Sequence, residues 1–196
     1  KNTSPIIKFI YIYLYINMIN DLSGILRAYP IITSFSCVIG YFTSGNIDLL
    51  MLLVANTVND LINNFLKYKI CAPLMGDKRW GIFGYGTRPK GAKHCGIFVK
   101  PNSNGIPKGS YGMPSGHSQN AIFFTTYMIL HLINSNYNTL TKNVGIGLFS
   151  FLGIMVMYSR VYFKCHTIQQ VLIGGLIGGT LGALYFKNKE KIKKLF

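Results

Sequence analysis

Six apolar runs, alternating with polar or basic stretches, constrain this chain more than any other feature. They cover residues 6–18, 31–42, 47–66, 121–133, 144–158 and 171–186. Several are short for a full crossing, but the second can extend back to Leu26 past Arg27, whose long side chain can snorkel to an interface. The first reads as a membrane span, with an uncleaved signal anchor or an interfacial helix as the alternative. Only 13% of the residues are charged and 49% are hydrophobic, which is lean in charge for a soluble domain. The expected fold is therefore all-α: one polytopic domain over residues 1–196, built as a six-helix transmembrane bundle. A net charge of +15 would suit nucleic acid. The basic residues, however, avoid the apolar runs and collect between and after them, so no nucleic-acid partner is expected.

The third run is not uniformly apolar. Asn56, Asn59, Asp60, Asn63 and Lys67 fall on one helical face, so this stripe should point into the bundle and not at lipid. Asp60 reads as a buried partner for Lys67 or for neighbouring amides. Residues 67–113 then form a polar, Gly-rich loop in which nine Lys and Arg side chains face the single acid Asp77, a composition suited to a polyanionic ligand or an anionic membrane surface. The sixth run carries Gly174, Gly175, Gly178, Gly179 and Gly182, a small-residue ladder for close helix packing in lipid. Cys37, Cys71, Cys95 and Cys165 contain no Cys-x-x-Cys pair, so a zinc site is not expected. Cys71 and Cys95 lie in the Gly-rich loop and would form a disulfide if it faces an oxidising lumen.

Chemistry concentrates where the loop meets the fourth run, at Pro114-Ser115-Gly116-His117. Exposed amides at a helix start, beside a hydroxyl and an imidazole, make an anion site with a proton donor. Alternation of spans puts the basic loop, this segment and Ser159–His166 at one membrane face. Arg88, Ser115, His117, Arg160 and His166 therefore converge there with almost no carboxylate nearby. Arginine forks and helix amides hold phosphate oxygens, one histidine can attack phosphorus, and the other can protonate the leaving oxygen. A magnesium site would need clustered acids, and Asp and Glu total five in the whole chain, so no metal and no cofactor are expected.

These segments resemble the type-2 phosphatidic acid phosphatase superfamily, which shares its site with vanadium haloperoxidases. The second motif, Pro114-Ser115-Gly116-His117, and the third, Ser159-Arg160 followed by His166, are complete; the first has Arg88-Pro89. The resemblance covers about residues 47–186, leaving a basic C-terminal tail at 187–196. It implies a six-helix bundle of that type, His166 as nucleophile forming a phosphohistidine, and His117 as general acid. Lys67, Arg88, Ser115, Gly116 and Arg160 would hold the phosphoryl oxygens. Two departures stand out. Twenty residues separate Lys67 from Arg88 where the family has six, so either a 14-residue insertion lies there, which is the preferred reading, or Lys78 or Arg79 takes the lysine's role. Gln170 replaces the aspartate that orients the nucleophile; Thr167 and Gln170 also read as a helix capping box.

Tyr111-Gly112-Met113 before Pro114, Ser118-Gln119 after His117, and the Gln itself resemble the dolichyl-diphosphate phosphatase branch. That likeness implies a polyprenyl diphosphate as substrate. Phosphatidate or sphingoid phosphate is the alternative, as is a non-catalytic lipid-binding relative. Besides the lipid substrate only membrane lipids are expected as partners, and the sequence leaves the oligomeric state open. Lysines at 187, 189, 191, 193 and 194 place the C-terminus in the cytoplasm and the site on the lumenal or outer side. Lys193-Lys194-Leu195-Phe196 resembles a retrieval signal for the endoplasmic reticulum.

Overall fold

The computed structural model describes residues 22–92, 95–96 and 110–194. Five long helices dominate: α1 (Leu22–Ser44), α2 (Ile47–Phe65), α4 (Gly116–Ile133), α5 (Thr139–Tyr162) and α6 (Ile168–Lys193). Beyond α2 the chain continues through a π-helical turn (Leu66–Cys71) into the short α3 (Ala72–Met75). A two-stranded hairpin follows, with Arg79–Trp80 (β1) paired antiparallel to Gly84–Tyr85 (β2) across a 3-10 turn at Gly81–Phe83. The fold is thus mostly helical rather than strictly all-α. The first expected span, residues 6–18, lies outside the described residues, so five of the six expected helices are seen.

Local chemistry starts each helix where it begins. Asn46, Ser115, Asn138 and Thr167 accept hydrogen bonds from backbone amides of the first turns of α2, α4, α5 and α6, satisfying donors that the helix leaves unpaired. At α6 the expected capping box is present, with Thr167 and Gln170 bonded reciprocally. Four helical segments are long and apolar enough to cross a membrane: Gly24–Ser44, Ile47–Met75, Thr139–Tyr162 and Ile168–Lys193. Their outer faces expose Val54, Leu61, Phe151, Ile154, Leu172 and Leu176, an apolar belt suited to lipid. The protein is a multi-pass membrane protein.

The centre of the bundle is α4, whose polar first turn is hidden by its neighbours. It packs most extensively against α6 and next against α5. The glycine ladder explains the first contact: a Cβ at Gly174, Gly178 or Gly182 would collide with the backbone carbonyls of Ser115, Gln119 and Phe123. Backbone therefore lies on backbone along the seam. Below it, Cys37, Leu52, Phe123 and Tyr127 form a buried apolar cluster.

Gly178→Val should cost about 1–3 kcal/mol through overpacking and lower the thermal midpoint in detergent. Gly147→Val, at a position with open space around it, should leave the midpoint within error.

Candidate active site

Because successive helices run antiparallel, the end of α2, the start of α4 and the connection from α5 to α6 meet at one end of the bundle. The opposite end is marked by the ion pair between Lys193 and Asp48, 2.6 Å. All the expected site residues lie at the first end. Lys67, in the π-helical turn, is buried and within electrostatic reach of both Arg88 and His166. Lys78 and Arg79, the alternatives for its role, are exposed in the hairpin region.

His166 is held from both sides of its ring. Arg88 Nη1 donates to Nε2 at 3.0 Å and also to the carbonyl of Cys165 at 2.9 Å. Gln170 Oε1 lies 3.1 Å from Nδ1. The orientation of that carboxamide is set by its other end, where Nε2 donates to the carbonyls of Tyr85 and Thr87 at 2.8 and 2.7 Å. Its oxygen must therefore face the imidazole and accept from Nδ1–H, as it also accepts from the backbone N–H of Thr167 at 3.3 Å. The tautomer follows: the proton is on Nδ1 and the lone pair on Nε2, which points at Arg88. Burial, with the charges of Arg88 and Lys67 added, holds the His166 pKa well below the usual 6.5. The ring is neutral and nucleophilic at physiological pH.

Gln170 also accounts for the departure from aspartate. A carboxylate has no hydrogens for the two carbonyls of Tyr85 and Thr87, which lie at the base of the hairpin between Lys67 and Arg88. Gln170 and the hairpin are parts of one arrangement. Gly112 completes it, since a Cβ there would strike the Gln170 side chain and the Gly86 carbonyl.

Arg160 is fully buried, its Nε donates to Ser159 Oγ at 3.0 Å, and both terminal nitrogens lack any partner among the described residues. Such a guanidinium is costly unless an anion receives its hydrogens. Ser115 and Gly116 open α4 beside it: Ser115 is buried as the N-cap and accepts from Ser118 Oγ at 2.9 Å. Gly116 lies under Asn63, whose Oδ1 would be 3.0 Å from a Cβ at that position. His117 is partly exposed and within electrostatic reach of Arg160, Arg88 and Lys67. Its Nε2 lies 2.9 Å from the Arg27 carbonyl of α1 and donates to it.

Several contributors were not singled out as site residues in the sequence. Ser110 takes two hydrogen bonds from Arg88, at 3.0 and 2.7 Å. Gln119 accepts from Asn63 at 2.8 Å and donates to the carbonyl and side chain of Asn59, both at 2.9 Å. The signal for this lock was the polar stripe of α2, which is indeed turned inward at Asn56, Asn59, Asn63 and Lys67. Asp60 accepts from Asn120 at 3.4 Å. The expected Cys71–Cys95 pairing is corrected: Cys95 is bonded to Cys165, 70 residues away, and Cys71 is free. Cys71 belongs to the helical continuation of α2, whereas Cys95 and Cys165 share a buried cluster with Ala92. The bridge ties the basic loop to the residue preceding His166.

A profile of the PAP2 superfamily matches residues 48–194. The chain belongs to this superfamily. Among PAP2 relatives, human dolichyldiphosphatase 1 is 30% identical over 185 residues, which is 88% of this chain and 67% of that protein. The dolichyldiphosphatase of Saccharomyces cerevisiae is 40% identical over 85 residues, 42% of this chain and 36% of that one. In fold the chain is similar to the crystal structure of the transmembrane PAP2-type phosphatidylglycerolphosphate phosphatase from Bacillus subtilis, with a TM-score of 0.58 and 21% identity over 97% of this chain and 80% of the other. The expectation of a membrane lipid phosphatase of the PAP2 superfamily agrees with these matches.

Orthovanadate, a phosphate analogue, should raise the thermal midpoint, since saturation at about 100 times Kd corresponds to about 2.7 kcal/mol. Arg160→Met removes a buried charge without a counter-ion, so the ligand-free midpoint should hold or rise while the vanadate shift is lost. A wild-type-sized vanadate shift in Arg160→Met would contradict the anion site.

Proposed function

We propose that this protein is an integral membrane phosphatase that hydrolyses a polyprenyl diphosphate of the dolichyl type to the monophosphate through a phosphohistidine. The observation that carries the reading is Arg160, fully buried with both terminal nitrogens unpartnered among the described residues, in a site where the unprotonated Nε2 of His166 faces Arg88. The names of the human and yeast relatives, both dolichyldiphosphatases, support the substrate.

In the first step His166 Nε2 attacks the terminal phosphorus while the bond from phosphorus to the bridging oxygen breaks. Gln170 stabilises the positive charge that develops on the ring through the Nδ1–H it already holds. Arg88, Arg160, Lys67, Ser115 and the amides at Gly116 take the equatorial oxygens as charge builds. His117 gives a proton to the leaving oxygen, and the lipid monophosphate departs. A water molecule then attacks phosphorus, His117 takes its proton, the phosphorus–nitrogen bond breaks, and inorganic phosphate leaves. With Nε2–H held by the Arg27 carbonyl, Nδ1 is the ring nitrogen that exchanges protons with the reacting oxygens, and it has one to give in the first step because the charge of the bound diphosphate holds the ring as an imidazolium.

The site faces the lumen of the endoplasmic reticulum in this reading. Support comes from the lysine-rich end of α6 and from the Cys95–Cys165 bridge beside the site, since disulfides persist in oxidising compartments.

Purified protein in detergent with EDTA should release phosphate from polyprenyl diphosphate faster than from phosphatidate or a sphingoid phosphate. His166→Ala should lower kcat by at least about a thousandfold. Strict dependence on a divalent cation, or full activity in His166→Ala, would sink the mechanism.

The pH profile gives a second check. His166 must be neutral to attack, and its proton is taken up only well below pH 6.5. In kcat/KM, which reports the free enzyme, activity should therefore persist as pH falls through 6.5 and decline only lower. Gln170→Glu puts a carboxylate beside Nδ1, favours the imidazolium and should move that decline upward.

A further inference from the structure

The hairpin that follows α3 has an apolar tip that no described part of the protein covers. Trp80, Phe83 and Tyr85 are about half exposed and Ile82 is 85% exposed. Leaving such side chains in water forfeits the gain from burying them. The tip is nevertheless held firmly outward. Tyr111 donates to the Gly76 carbonyl at 2.9 Å on one side, and Gln170 holds the carbonyls of Tyr85 and Thr87 on the other. Gly76, Gly81 and Gly84 supply the positive φ values, +50°, +42° and +72°, that turn the chain out and back.

Position and charge together indicate what the tip meets. The segment Ile47–Met75 is a candidate membrane span, and the hairpin begins within four residues of its end. Val58, Leu61, Phe65 and Leu74 are exposed along this segment, and only residues 76–78 separate its end from the hairpin. Lys78 and Arg79 stand there against the single acid Asp77, all exposed. Aromatic side chains with basic residues at their flank suit the headgroup boundary of a bilayer.

We propose that the hairpin, residues 78–85, dips into the lipid–water boundary of the same membrane on the side of the active site, with Trp80, Ile82 and Phe83 among the upper acyl chains and Lys78 and Arg79 at lipid phosphates. The base of the hairpin is the pair of carbonyls that fixes Gln170, so the membrane contact and the orientation of His166 share one support. The inference needs only the membrane setting, not the phosphatase reading, and its test is likewise independent of catalysis.

Trp80 is the one tryptophan in the chain, so its emission reports the tip without labelling. The protein, wild type and His166→Ala, is reconstituted into phosphatidylcholine–phosphatidylserine vesicles containing lipid brominated high or low on its acyl chains, with iodide as the aqueous quencher on both sides. The expected result is loss of emission with shallow bromine, a smaller loss with deep bromine, little loss with iodide, and the same pattern in both proteins. Ile82→Asp should reduce the bromine quenching while leaving the thermal midpoint unchanged. Quenching by iodide and not by bromolipid would overturn the proposal, and so would shielding from both, which would mean that protein covers the tip.

Discussion

The carboxamide of Gln170 is the contact on which the rest of the site depends. Its nitrogen satisfies two backbone carbonyls at the foot of the hairpin, and its oxygen takes the Nδ1–H of His166. Neither end can be changed alone, because reversing the amide would set an oxygen against two carbonyls and an N–H2 against a ring N–H. The same residue closes the capping box of α6, and its backbone carbonyl receives the N–H of Ser115 at 3.1 Å. One side chain and its own backbone thus link His166, Ser115 at the start of α4 and the segment leading to Arg88. A carboxylate would stabilise the imidazolium more, but it would leave the hairpin's carbonyls facing an acceptor.

Around this support the protein concentrates cations without counter-charge. Arg160, Arg88 and Lys67 repel one another, and their burial removes water that would otherwise screen them. The described residues contain one salt bridge, and it lies at the other end of the bundle. This is a structure whose ligand-free form is electrostatically incomplete. The cost is carried by the packing of α4 on α6, by the Asn63–Gln119–Asn59 lock between α2 and α4, and by the bridge from Cys95 to Cys165. Energy spent holding charges together in the empty protein is recovered when a phosphoryl group, and more so its transition state, occupies the centre.

Much of this was legible in the chain. Four of the apolar runs mark the crossing segments, each of which extends beyond its run. The Gly174–Gly178–Gly182 ladder reads directly as close packing, since its spacing places every glycine on one helical face. The second and third motifs, read through the resemblance to the superfamily, singled out His117, Arg160 and His166. What was hidden depended on backbone atoms and long-range approach. No pattern in the sequence announces that the carbonyls of Tyr85 and Thr87 will claim one end of Gln170, or that the Arg27 carbonyl will hold His117. The disulfide was misread because Cys71 and Cys95 share one loop in the sequence, while the fold carries Cys71 away on the extension of α2 and brings Cys165 in from 70 residues away.

The central claim is that His166 Nε2, freed by the Nδ1–H bond to Gln170, bonds to phosphorus. A single turnover with a lipid diphosphate, quenched within milliseconds under alkaline conditions that preserve phosphohistidine, followed by peptide mass spectrometry, tests it most directly. A phosphoryl group is expected on the peptide containing His166, appearing before inorganic phosphate and absent from His166→Ala. A phosphoryl group on His117 instead, or product formed with no phosphorylated histidine at any time, would contradict it.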